Sequence, residues 1–174
     1  SDDATCEVFD PRSGTWVDST PAYAARSGHS AAELEDGRIL VFAGTIFQLD
    51  ATEAYDAEVG AFVATGPLSK KRSDHSATRL IDGRVLVAGG LDTYGTPRVT
   101  ATAELFSPST GTWSSTGSLT VARYGQTSTR LADGRVLVAG GVDENDVHTG
   151  SAEVYDPTTG MWTTTGSLTV PRAF

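Results

Sequence analysis

The chain repeats one pattern of residues four times, and this repetition constrains its fold more than any other feature. Arginines recur at intervals of 46, 51 and 49 residues, at Arg26, Arg72, Arg123 and Arg172. Two further series keep the same intervals, the glutamates Glu7, Glu53, Glu104 and Glu153 and the aromatic residues Trp16, Phe62, Trp113 and Trp162. A period near 50 residues with fixed internal spacing is the signature of a repeat architecture.

The repeats differ in length at one segment only. It runs from the arginine of an Asp-Gly-Arg motif to the next recurrent glutamate, and it spans 15 residues after Arg38, 20 after Arg84 and 18 after Arg135. The spacings inside each copy are otherwise constant. One loop per repeat is therefore free to change.

Each copy is predicted to form four short antiparallel strands. In the third copy these are 126–131, 135–139, 152–155 and 162–165, separated by an Asp-Gly turn, the variable loop and an Asp-Pro-Thr-Thr-Gly turn. No segment shows helical periodicity. Because a four-stranded sheet cannot bury both faces alone, the sheets must stack, and stacking around an axis gives a propeller.

Three recurring signatures resemble the kelch motif. They are a Gly-Gly doublet at 89–90 and 140–141, an aromatic residue on the third strand, and a tryptophan shortly after it. The Asp-Gly-Arg-Val-Leu-Val-Ala-Gly-Gly variant is similar to bacterial kelch repeats of the kind found in the central domain of galactose oxidase. The resemblance implies an all-β propeller of four-stranded antiparallel kelch blades, of which about 3.5 are present. The second copy departs most, with Ala43 in the doublet and Phe62 for tryptophan.

The kelch register divides the chain into blades. Residues 4–20 are the outer hairpin of one blade, 22–69, 71–118 and 121–168 are complete blades, and 169–174 begin the next. Kelch propellers close with about six or seven blades, so the resemblance implies about half a ring. We expect a piece of a longer propeller, whose open ends meet its remaining blades or associate with a second copy.

Composition narrows the possible partners. A net charge of −9 with no basic cluster argues against nucleic acid, and no apolar run is long enough for membrane insertion. The single cysteine, Cys6, excludes an internal disulfide. The abundance of Gly, Thr, Ser and Asp beside two lysines is compatible with a secreted bacterial protein. We therefore expect an extracellular or cell-surface location.

Residues present in every copy are expected to serve the blade, whereas a residue found in one copy is a candidate for ligand contact. The four glutamates and seven recurrent arginines are predicted to pair with each other at blade junctions, since a lone buried charge is costly. His29 and His75 share one position with Gln126. That exchange favours a hydrogen-bonding structural side chain over a metal ligand.

The catalytic relatives implied by the motif are the copper radical oxidases, which carry Arg-Gly-Tyr-Gln-Ser on one inner strand and a Tyr-His pair on another. Here Tyr124 and Gly125 stand in the exchanged order, and Gly28 and Asp74 occupy the place of the second tyrosine. A shift of one residue along a strand sends a side chain to the other face. The sequence names no catalytic residue, no metal ligand and no cofactor, and the enzymatic status of the whole protein stays open.

Variable loops on a rigid scaffold are where recognition is normally built. Because strands alternate in direction, the loops between second and third strands lie on the same side as the connections between blades. We predict that any ligand contact falls on that side. The predicted binding residues are Phe47, Gln48, Tyr94, Arg98, Asp143, Glu144 and His148 in the loops, with Asp74 and Tyr124 as departures on the first strands. The acidic run 143–146 lacks the spacing of a calcium loop and favours a solvated turn.

The sequence favours a non-catalytic recognition or scaffold module that binds a protein or glycan through this variable loop face. Two alternatives stay open: the non-catalytic portion of a galactose oxidase-like copper radical oxidase, and a structural repeat of a surface assembly. A Tyr-His pair on a further inner strand would favour the oxidase. A run of near-identical repeats would favour the structural array.

Overall fold

The computed structural model describes residues 4–44, 50–92 and 98–174. Within these residues the secondary structure consists of β-strands joined by turns and irregular segments. Three sheets have four antiparallel strands each, and we call them blades A, B and C. A two-stranded hairpin precedes blade A, and a second, shorter hairpin extends the loop of blade B.

The strand bounds follow the predicted pattern of four strands per copy. The first hairpin is β1 (Cys6–Asp10) and β2 (Thr15–Ser19). Blade A is β3 (Ser30–Glu33), β4 (Ile39–Phe42), β5 (Thr52–Asp56) and β6 (Ala61–Ala64). Blade B is β7 (Ser76–Arg79), β8 (Val85–Ala88), β11 (Ala103–Ser107) and β12 (Thr112–Ser115), with β9 (Leu91–Asp92) and β10 (Arg98–Val99) in its loop. Blade C is β13 (Thr127–Arg130), β14 (Val136–Ala139), β15 (Ala152–Asp156) and β16 (Met161–Thr165).

The blades stack face to face with their first strands side by side. In blade B the strand order is β12-β11-β8-β7, and β7 contacts β3 of blade A on one side and β13 of blade C on the other. The first strands therefore lie innermost and the fourth strands outermost. This arrangement is an all-β propeller that forms part of a ring, as predicted.

The hairpin β1–β2 occupies the place of the outer two strands of a blade. Its Ser19 hydroxyl donates to the Tyr55 hydroxyl of blade A at 3.1 Å. The same contact recurs one junction later, where the hydroxyls of Thr116 in blade B and Tyr155 in blade C lie 2.7 Å apart. Hairpin β1–β2 thus packs on blade A as the outer strands of blade B pack on blade C.

The hydrophobic core lies in the two junctions between blades. Strand β8 shows why its sequence has no polar alternation, since all four of its residues are buried. Val85 and Val87 face blade A and join Leu40 and Phe42 in one cluster. Leu86 faces the opposite way and joins a second cluster with Val136 and Tyr155 of blade C. Blade B is therefore covered on both faces by its neighbours.

The recurrent tryptophans pack at the edges of these cores. Trp113 lies 5.1 Å from Phe42 between ring centroids, and its indole nitrogen donates to the Thr52 hydroxyl at 3.0 Å. Trp162 donates to the carbonyl of Gly117 at 2.8 Å. Trp113 and Trp162 therefore pack across the two junctions between blades. Trp16, whose preceding blade is not in this chain, is 64% exposed.

A buried ion pair ties each connecting segment to the blade that follows it. Arg72 lies between blades A and B, and its guanidinium donates to Glu104 of β11 at 2.7 Å. The same guanidinium donates to the carbonyls of Gly89 and Thr102 at 2.9 Å each. Glu104 in turn accepts the backbone N–H of Ser69 at 2.8 Å. The two charges of the group are thereby paired inside the fold, and the Arg72 Nε atom is the part of the guanidinium that is buried without a partner among the described residues.

The pair recurs in the other complete blades as Arg26 with Glu53 at 2.7 Å and Arg123 with Glu153 at 3.0 Å. Burial lowers the pKa of the Arg72 and Arg123 guanidinium groups, and the neighbouring glutamates oppose this effect. The prediction that all recurrent arginines pair with these glutamates is wrong for the Asp-Gly-Arg series. Those arginines pair with the aspartate of their own exposed turn, because that carboxylate lies two residues away: Arg38 with Asp36, Arg84 with Asp82 and Arg135 with Asp133.

We predict that the Trp113→Ala variant loses about 3 kcal/mol of unfolding free energy, because it empties the edge of a packed junction. Trp16→Ala removes the same side chain from an exposed site and is the matched control, expected to cost under about 1 kcal/mol. Urea denaturation followed by circular dichroism measures both. Equal losses would contradict the packing described for Trp113.

The buried ion pair generates a second prediction. Arg72→Met leaves the Glu104 carboxylate buried and without its cation, which is expected to cost about 3–5 kcal/mol. Arg135→Met removes a cation from an exposed pair, Arg135 with Asp133, and should cost about 1 kcal/mol or less. The denaturation midpoints of the two variants test this difference. A mild effect of Arg72→Met would show that the pair does not hold the blade.

A third prediction concerns a buried hydroxyl. The Oγ1 atom of Thr65 has no hydrogen-bond partner among the described residues. It lines the same cavity as Phe106, which stands where Tyr55 and Tyr155 bond to the equivalent hydroxyls in the other blades. Phe106→Tyr is expected to gain about 0.5–1.5 kcal/mol by supplying that partner. Tyr155→Phe is the reverse change and should lose stability, and a loss in both variants would contradict this explanation.

Candidate binding face

The variable loops and the connecting segments lie on one face of the blades. The Arg72 guanidinium shows this, because it comes from a connecting segment and donates hydrogen bonds to the carbonyls of Gly89 and Thr102, at the two ends of the blade B loop. Arg123 bonds to Gly140 and Ser151 of the blade C loop in the same way. We call this side the loop face. The opposite side carries the Asp-Gly and Asp-Pro turns, and we call it the hairpin face.

In blades B and C, the described residues of the variable loop form additional backbone pairing beside the sheet. In blade B, Leu91 of β9 pairs with Ser73 on one side and with Val99 of β10 on the other. In blade C, Val142 pairs with Tyr124 and with His148. The described residues of both loops therefore pair with the segment that leads into the first strand of their own blade.

The tip of the blade C loop is organised by Asp143. Its carboxylate accepts the backbone N–H groups of Asn145 at 2.9 Å and Val147 at 3.1 Å. The two donors hold the pKa of Asp143 below its ordinary value, because they stabilise the charged form. Asp143 is thus a turn-forming residue, which explains its place in the loop without a ligand.

A side-chain contact joins the loop tip to the segment that leads into β13, the first strand of the blade. The Tyr124 hydroxyl donates to the Asp146 carboxylate at 3.1 Å. Asp146 has a left-handed backbone with φ of 59°. Desolvation raises the pKa of the Tyr124 hydroxyl, and the negative charges of Asp146 and Asp74 raise it further. Tyr124, Asp146 and Asp74 therefore lie within electrostatic reach of one another, and we call them the acidic triad.

Asp74 has a left-handed backbone conformation at a position where the other complete copies have glycine. Its φ is 51°, and Gly28 and Gly125 at the same position of the other copies have φ of 64° and 60°. The carbonyl of Asp74 accepts the N–H of Gly125 at 2.8 Å, which links blades B and C near the axis. The left-handed backbone has a higher conformational free energy for aspartate than for glycine, and such strain is concentrated at functional sites.

The other predicted binding residues are less tightly placed. Glu144 and His148 are exposed on the blade C loop, and Arg98 is exposed on β10 opposite Asp92. Phe47, Gln48 and Tyr94 lie outside the described residues. The structure thus brings together Asp74 and Tyr124 from the predicted set.

Asp146 was missed as a site residue by the sequence reasoning. The acidic run 143–146 was visible, but the pattern alone does not show that the turn formed by Asp143 points the last aspartate back to Tyr124. A signal was present at Asp74, since aspartate there replaces a glycine of the other copies.

At the position shared by His29, His75 and Gln126, the side chain makes different contacts in blades B and C. The Gln126 amide donates to the carbonyl of Ala88 at 2.8 Å and to the Ser76 hydroxyl at 3.3 Å, as the prediction of a hydrogen-bonding side chain requires. The prediction is wrong for His75. Its two ring nitrogens are buried and have no partner among the described residues.

The hairpin face differs between copies at the Asp-Gly turn. Ile81 is 68% exposed in the turn of blade B, where the other copies carry Glu35 and Ala132. Its side chain lies beside a cleft of about 270 Å³ that is also lined by Asp133, Gly134 and Pro157 of blade C. This cleft is the competing candidate for a binding surface.

Two chemical features are absent from the part of the chain that the structure describes. Across 4–44, 50–92 and 98–174, no three His, Cys, Asp or Glu side chains are grouped so that they could hold a metal ion. Nor do these residues include a helix long and apolar enough to span a membrane.

Comparison with known proteins agrees with the blade geometry. Residues 72–120 and 125–169, together more than half of the chain, match the Kelch motif. The fold matches the solved structure of YjhT with a TM-score of 0.75 at 16% sequence identity, over 89% of this chain and 55% of YjhT. The chain thus spans about half the length of that protein, and likeness at this identity shows the fold alone. No curated protein has significant sequence similarity to the chain. With its repeated blades and motif matches, the chain belongs to the kelch-repeat family.

Proposed function

We propose that these blades form a recognition module that binds a protein partner through the loop face. The observation that carries the proposal is the hydrogen bond from Tyr124 to Asp146, which joins the segment before β13 to the tip of the blade C loop. Tyr124 stands where the other complete copies have Ser27 and Ser73, so this tyrosine is not part of the repeated frame. The frame residues, by contrast, repeat the same buried contacts from blade to blade. A surface built once on a repeated frame is suited to specific recognition.

The chemistry of the acidic triad favours a basic group on that partner. The frame carboxylates are neutralised by arginine, as in the pair of Glu104 with Arg72. The hydrogen-bond donors to Asp146 and Asp74 among the described residues are instead the uncharged hydroxyls of Tyr124 and Ser73. Two carboxylates beside a tyrosine ring offer both ion pairing and a cation–π surface to lysine or arginine. The chain's net charge of −9 acts in the same direction over longer distances.

We predict that the protein binds a subset of lysine- and arginine-containing peptides on a peptide array and that this binding weakens as salt rises. The paired variant Asp74→Asn/Asp146→Asn should lose at least about tenfold in affinity, since it removes both charges while asparagine tolerates left-handed backbone. Asp82→Asn/Asp133→Asn is the matched control. It removes the same charge from the hairpin face and should bind as the unaltered protein does.

Two outcomes would reject this proposal. Peptide binding that survives the loss of Asp74 and Asp146 but not the control substitutions would place the site on the hairpin face, beside Ile81. Binding to a glycan array with no binding to basic peptides would identify a carbohydrate as the ligand class.

A further inference from the structure

The two blade junctions are built differently at one equivalent place near the axis. In the junction between blades B and C, the Gln126 amide crosses to blade B and donates to the Ala88 carbonyl and the Ser76 hydroxyl. Gly89 makes room for it, because a Cβ atom there would lie 2.6 Å from the Gln126 amide nitrogen. Glycine and glutamine therefore depend on each other across this junction.

The junction between blades A and B holds a different pair at these positions. Ala43 replaces the glycine and keeps its left-handed backbone, with φ of 60°. His75 replaces the glutamine and packs against Phe42, with ring centroids 5.6 Å apart. Phe42 itself stands where blade B has Ala88. An aromatic contact has thus taken the place of two hydrogen bonds.

The aromatic contact leaves the His75 imidazole without polar partners. The residue is 9% exposed, and neither ring nitrogen has a hydrogen-bond partner among the described residues. The charged and titratable groups that face it are Arg72, in the connecting segment before β7, and His29, at the start of β3. Arg72 is held by Glu104, and neither facing group offers a negative charge to an imidazolium. Burial, with these two groups, lowers the pKa of His75 from its ordinary 6.5 to about 3.

We propose that the junction between blades A and B is an acid-sensitive joint, which opens when His75 takes up a proton, while the junction between blades B and C stays closed. In the closed joint both ring nitrogens are buried, and neither facing group is a carboxylate that could stabilise the imidazolium. Separation of the inner strands exposes the ring to water and removes that cost. Gln126 has no charge to gain, so acid does not act on its junction.

The sign of the effect follows from the proton balance. The open joint binds the proton near pH 6.5, as free histidine does, and the closed joint resists it down to about pH 3. The closed form is therefore fully favoured above about pH 6.5, and the opening equilibrium rises about tenfold for each pH unit below that value. The opening equilibrium stops rising at the pH where the closed form also becomes protonated.

Two backbone amides report on the two junctions separately. The N–H of Gly44 in blade A donates to the Arg72 carbonyl at 3.0 Å across the first junction. The N–H of Gly90 in blade B donates to the Arg123 carbonyl at 2.8 Å across the second. Hydrogen exchange of the full chain followed by NMR, expressed as protection factors, measures each opening equilibrium.

We expect the protection factor of Gly44 to fall about twentyfold between pH 7 and pH 5, while that of Gly90 changes much less. The double variant Ala43→Gly/His75→Gln copies the second junction and should abolish the difference. His75→Leu keeps an apolar contact with Phe42 and removes the titration, so it should abolish the difference even if the double variant folds poorly. Equal loss of protection at Gly44 and Gly90, or a loss that persists in His75→Leu, would overturn the proposal.

Discussion

The buried arginine–glutamate pair is the interaction on which the rest of this structure depends. The connecting segments lie outside the four-stranded sheets, so side-chain contacts supply much of their order. Glu104 accepts the backbone N–H of Ser69 in one such segment, and Arg72 reaches from the same segment to both ends of the blade B loop. Connection, loop and third strand are thereby fixed to one another in each blade. The variable loops can differ in length and sequence between copies because the arginine and glutamate that hold their ends are the same in each complete blade.

Much of this frame is predictable from the chain because repetition makes each position visible several times. Four strands per copy, burial of β8 on both faces and the shared side of loops and connections all follow from spacing and strand alternation. The partners of the arginines were harder to predict. A carboxylate two residues away competes with one across the blade, and local geometry decides between them.

The candidate site was predictable only in part, for a physical reason. Asp74 and Tyr124 are recognisable as departures from the repeat, and the fold brings both to the axis end of the loop face. Asp146 reaches Tyr124 only because Asp143 closes a turn with left-handed backbone, a conformation that composition does not reveal. Likewise, the exchange of histidine for glutamine suggested one shared hydrogen bond. The contact of His75 with Phe42 depends on the neighbouring blade.

The complementary pairs at the two junctions bear on how such a chain can be rearranged by recombination. Phe42 and His75 belong to different blades but pack against each other, and Gly89 of blade B makes room for Gln126 of blade C. A crossover in a connecting segment moves a whole blade and separates both partners, leaving glutamine against alanine or histidine against glycine. A crossover in the Asp-Gly turns carries residues 38–83 as one piece and keeps Ala43 with His75. The unit that can be duplicated without mismatch therefore runs from hairpin to hairpin and contains half of each of two blades.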